Sequence, residues 1–113
     1  MSLIRTFTVT VVSTGSGNKY VIDGVQQPTL VLAEGYTYRF DVSDSSMGSH
    51  PFKFSTTSDG THSGGSEYTT GVTTSGTTGQ ADAYVQIAVA ASAPQLYYYC
   101  QYHSGMGGQA NTE

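Results

Sequence analysis

The stretch YTYRFDV, Tyr36 to Val42, decides the fold. Tyr36, Tyr38, Phe40 and Val42 alternate with Thr37, Arg39 and Asp41. A helix would need its apolar residues three and four apart, whereas a strand turns successive side chains to opposite faces. The segment therefore reads as a half-buried strand, with the aromatic set inward and Thr37, Arg39 and Asp41 outward.

The same period runs outward in both directions. Upstream, Ile4 to Val12 sets Phe7, Val9 and Val11 on one face and Thr6, Thr8 and Thr10 on the other. Lys19 to Ile22 is a short strand closed by the turn dipeptide Asp23-Gly24. Thr29 to Leu32 follows Pro28 and ends at Glu34-Gly35. Downstream, Phe52 to Phe54 is a short strand after His50-Pro51. Tyr84 to Val89 buries Val85, Ile87 and Val89. Gln95 to Tyr99 continues into the single cysteine, and the run Tyr97-Tyr98-Tyr99 reads as residues facing core and surface in turn.

Between Ser55 and Gln80, 20 of the 26 residues are Ser, Thr or Gly, too many for a long apolar element. A loop of that length without structure is unusual in a compact domain, so at least one short strand is expected, near Tyr68 to Val72. No helical period and no internal repeat appear. Seven to eight short strands separated by turn signals predict an all-β chain, an antiparallel Greek-key β-sandwich. At 113 residues the chain fits one domain, residues 1–113.

Composition narrows the function. Four Lys and Arg against eight Asp and Glu leave a net charge of −4, so there is no basic footprint for nucleic acid. The same scarcity of cations removes the polybasic signature of a membrane-surface protein. No apolar run is long enough to span a bilayer, so membrane insertion is not expected, and no signal-peptide pattern opens the sequence. The 30 Ser and Thr and 14 Gly suit a β-rich secreted or surface protein, which places the chain in a periplasm, outside the cell or on a surface. One cysteine excludes an internal disulfide. Hydrolase motifs such as Gly-x-Ser-x-Gly and His-Glu-x-x-His are missing, and the chain is not expected to be an enzyme.

The cysteine carries the chemistry. In LYYYCQYHSGMGG, Leu96 to Gly108, a thiolate, an imidazole and a thioether follow at Cys100, His103 and Met106. Sulfur ligands favour copper, and imidazole suits it. A trigonal site of two histidines and one cysteine with a long axial methionine needs one more histidine. His50 stands at a strand boundary, so its ring belongs at one end of the sandwich, as does the cysteine loop. His62 lies in mid-loop and is expected to face solvent. His50 is therefore the fourth ligand of choice. Met47 reads as a loop residue or a rival thioether, and Asp41 and Asp44 read as turn formers.

With these residues the sequence resembles the cupredoxins, the small type 1 blue copper proteins. The family carries an upstream histidine and then Cys-x(2–4)-His-x(2–4)-Met. Cys100-x2-His103-x2-Met106 is similar to the short ligand loop of the amicyanins. Tyr20 to Gly24, Leu30 to Gly35 and Tyr36 to Phe40 look like the family's early strands. The resemblance implies one Cu(I)/Cu(II) ion on His50, Cys100, His103 and Met106, electron transfer as the function and a redox partner protein. It makes His103 the surface edge that passes the electron, with Gly105, Met106 and Gly107 as a low-charge docking patch. Two positions depart from the family. Pro51 stands where an asparagine commonly ties the two ligand loops, so that tie falls to Ser49 or to a backbone group. Three glycines in Ser104 to Gly108 leave the loop around Met106 free to move. The second functional reading is a cupredoxin-fold structural or binding module of a surface or virion protein, with its metal structural or absent.

Overall fold

A computed structural model describes residues 3–113 and arranges them as two facing β-sheets. In chain order the strands are β1 (Leu3–Thr14), β2 (Gly17–Ile22), β3 (Val25–Gln26), β4 (Leu30–Leu32), β5 (Thr37–Asp41) and β6 (Phe52–Ser55). They continue as β7 (Glu67–Tyr68), β8 (Val72–Ser75), β9 (Tyr84–Ala88), β10 (Leu96–Cys100) and β11 (Gly108–Thr112). One sheet has the order β3-β2-β1-β5-β9-β8 and the other β4-β11-β10-β6-β7. The all-β sandwich expected from the alternation is present. Its sheets are mixed: β1 runs parallel to β5, and β11 runs parallel to β4.

Aromatic side chains fill the space between the sheets. Phe40 of β5 stacks on Phe52 of β6 at 4.9 Å and meets Phe54 edge-on at 5.6 Å. Tyr20 of β2 lies edge-on to Phe52, and Phe52 stacks on Tyr98 of β10. Phe7 of β1 extends the stack from Phe40. Each of these rings stands at an inward position of its strand, as the alternation requires. Apolar burial of this kind is the main favourable term in folding.

The structure differs from the alternation at two places. Tyr36 is 46% exposed, because it precedes β5 in the turn after Gly35 (φ 84), whereas Thr37 is buried between Leu3 of β1 and Ala88 of β9. Tyr99 is buried although it faces away from the core, because the 3-10 turn Gly60–Ser63 covers it. A Cβ added at Gly60 would strike the Tyr99 ring, so the glycine-rich segment can lie flat on that face. That segment, where at least one strand was expected, holds two: β7 pairs with β6, and β8 pairs with β9.

Two strands have no apolar signal of their own. β3 exists because Asp23 and Gly24, both at positive φ (49 and 83), form a two-residue hairpin that sets Val25 opposite Ile22. β11 is held by β10 on one side and β4 on the other, with Ala110 alone buried.

Phe40 contacts rings on both sheets, and nothing can collapse into its volume without separating them. Phe40→Ala is expected to cost about 3–5 kcal/mol, read as a lower urea midpoint at unchanged slope.

Candidate metal centre

His50 is placed by a short 3-10 turn, Ser45–Met47. Asp44 caps that turn by accepting from Ser46 N and Ser46 Oγ. These bonds hold the Asp44 carboxyl below its usual range, the Ser46 hydroxyl acting most strongly. Asp41 likewise accepts from Ser43, so both aspartates are turn formers. Ser46 Oγ accepts from Val11 N and anchors the turn on β1. Met47 is wholly buried in the core. His50 N then donates to Met47 O, and Ser49 (φ 65) turns the chain toward β6.

Cys100 is the last residue of β10, paired with Phe52 of β6. Its side chain is fully buried, in line with the inward residues Leu96 and Tyr98. Beyond it the chain loops through His103 and returns as β11. His103 is exposed and His50 is half-buried.

The three side chains converge. Cys100 Sγ is 3.7 Å from His50 Nδ1 and 3.5 Å from His103 Nδ1. The two imidazoles lie 4.7 Å apart at 44°. One donor atom from each residue falls within 4.8 Å of the others, and His50, Cys100 and His103 are the group among the described residues that can hold a metal ion. Metal bonds of about 2.3 Å to thiolate and about 2.0 Å to imidazole, opened to tetrahedral or trigonal angles, separate donors by about 3.5–3.8 Å. The observed spacings fit that range. Both rings turn Nδ1 toward the sulfur, which leaves Nε2 on the far side of each. Burial pushes the His50 imidazole below its usual value, and the neighbouring His103 pushes it further. A neutral ring is the form that binds metal.

The loop that carries His103 and Met106 is pinned on several sides. Lys19 Nζ donates to Gly105 O at 2.8 Å. Gln27 Nε2 donates to Gly105 O and to Gly107 O. Gly105 N donates to Asp59 Oδ1 at 2.9 Å. The three glycines therefore do not leave Met106 loose, and Met106 is buried among core residues at 1% exposure. Being buried, Met106 is no part of the expected surface patch, which leaves exposed Gly105 and half-buried Gly107, with the 63% exposed Tyr102 beside His103 in the chain. The tie between ligand loops is a backbone bond, from Gln101 N to Pro51 O.

His62 does not join the metal group. It is exposed, as expected, yet its Nε2 lies 2.7 Å from Cys100 O. A carbonyl only accepts, so Nε2 carries the proton. Sequence reasoning missed His62, Asp59, Lys19 and Gln27 as supports of the loop. Each contact spans 38 to 86 residues, beyond the reach of any local pattern. No family model matches the chain, and no curated protein matches it.

Because His50 is held below the ordinary histidine value, the unfolded chain takes up its proton first as pH falls. The metal-free protein should therefore lose stability from about pH 6.5 downward, until His50 titrates in the folded state as well. Urea midpoints across this window should fall less steeply for His50→Gln than for the wild type.

Proposed function

We propose that this chain is a mononuclear copper protein of the cupredoxin type that carries single electrons to and from a partner protein. The observation that supports it best is the buried Cys100 sulfur with the Nδ1 atoms of two histidines 3.7 and 3.5 Å away. A soft thiolate between two imidazoles is a donor set that suits copper. His50, Cys100 and His103 would hold the ion, and Met106 would serve as a weak further donor that tunes it. Bound copper supplies a one-electron change between Cu(I) and Cu(II).

The protein's own residues do the rest. Burial of Cys100 keeps water from the sulfur. The strand pair β6–β10 and the pinned loop fix the ligands in advance, so little has to move when the charge changes. His103 brings one ligand edge to the surface, where a partner can approach. The net charge of −4 on so few charged residues favours a basic or weakly charged partner surface.

A copper(II) titration of the reduced, metal-free protein should produce an intense visible thiolate-to-copper band that Cys100→Ser lacks. Weak binding unchanged by Cys100→Ser would reject the blue-copper reading and leave the structural-module reading, to which zinc at the same residues also belongs. Met106→Leu should keep the band and raise the reduction potential in cyclic voltammetry, because losing a weak donor disfavours Cu(II) more than Cu(I).

A further inference from the structure

Among the described residues, Tyr20 bonds to the backbone of two proposed ligands on separate loops. It lies on β2, in the sheet opposite the one that carries Cys100, and is wholly buried. Its hydroxyl donates to His50 O at 2.8 Å. Its amide donates to Met106 O at 3.0 Å. Its ring is clamped edge-on against Phe52 at 5.3 Å and tilted against Tyr98 at 6.4 Å. A buried phenol must find an acceptor, and the rigid cluster around this ring leaves the hydroxyl one fixed direction.

We propose that Tyr20 is a positioning residue of the metal centre: its hydroxyl sets the His50 peptide, and with it the imidazole, against Cys100. The proposal rests on His50 and Cys100 acting as ligands. The acceptor is the carbonyl of the ligand residue itself. His50 is then fixed at both ends of its backbone, by Met47 O on its amide and by Tyr20 on its carbonyl. Tyr98 provides the matched control. Its hydroxyl is equally buried in the same aromatic cluster, but it donates to Pro28 O at 2.7 Å, which belongs to no ligand.

The test compares Tyr20→Phe with Tyr98→Phe in isotope-labelled, metal-free and copper-loaded protein. In the metal-free wild type, the Tyr20 hydroxyl proton should exchange slowly with water, and the His50 ring should show a nuclear Overhauser contact to Cys100. Tyr98→Phe should keep that contact, and Tyr20→Phe should lose it while the rest of the spectrum stays folded. Copper affinity should fall about 10- to 100-fold in Tyr20→Phe and stay near the wild-type value in Tyr98→Phe. A fast-exchanging Tyr20 hydroxyl in the wild type would overturn the proposal even if Tyr20→Phe does not fold. An unchanged His50–Cys100 contact in Tyr20→Phe, or an equal loss in Tyr98→Phe, would overturn it too. If the wild type forms no thiolate–copper band, the copper reading fails, and the metal-free comparison still decides the role of Tyr20.

Discussion

The pairing of Cys100 with Phe52 is the constraint on which the site depends. Strand register has a period of two, so a slip of one residue between β6 and β10 would exchange the faces of every side chain on β10. Cys100 would leave the core and Tyr99 would enter it. The aromatic cluster resists that slip from both sides. Phe52 and Phe54 are locked against Phe40 of the other sheet, while Tyr98 is locked against Phe52. Large rings in a close-packed interior have no second arrangement of similar energy. The packing that stabilises the sandwich thus also aims the sulfur at the end of the sheet where His50 emerges.

Much of this was legible in the sequence because it is local. Alternation at Phe7 and Val9, at Tyr38 and Phe40, and at Val85 and Ile87 identifies strands and their inward faces without any knowledge of their partners. The spacing of Cys100 and His103 is equally local. His50 was found because His-Pro at a strand start puts a ring at a sheet end. What stayed hidden is what depends on partners. β11 is polar and forms because two neighbours supply its ladder. Tyr99 is buried by a segment whose Ser, Thr and Gly composition suggests only exposure. The supports of the ligand loop, Lys19, Gln27, Asp59 and His62, come from distant parts of the chain.

The Ser/Thr/Gly-rich segment has a use that its composition conceals. It lays a thin third layer over the outer face of β10, with the His62 ring edge-on to Tyr99 at 6.3 Å. From there Asp59 reaches Gly105 N and His62 reaches Cys100 O. Both contacts fall on the ligand loop or the strand that feeds it. Small residues allow the backbone this approach, because a side chain at Gly60 would meet the Tyr99 ring. The low-complexity stretch is therefore part of the scaffold around His50, Cys100 and His103.

The parallel pairing of β4 with β11 bears on the order of assembly. β4 is an edge strand whose sole ladder partner among the described residues is β11, some eighty residues later in the chain. During synthesis β4 emerges early and waits, since long-range pairing must await the later segment. The loop from Cys100 to Met106 closes when that same strand docks. A ribosome-bound chain lacking β11 would carry His50 and even Cys100 without the closed loop that brings His103 back to them. Completion of the second sheet is thus a checkpoint: the thiol meets both imidazoles when the fold is essentially finished.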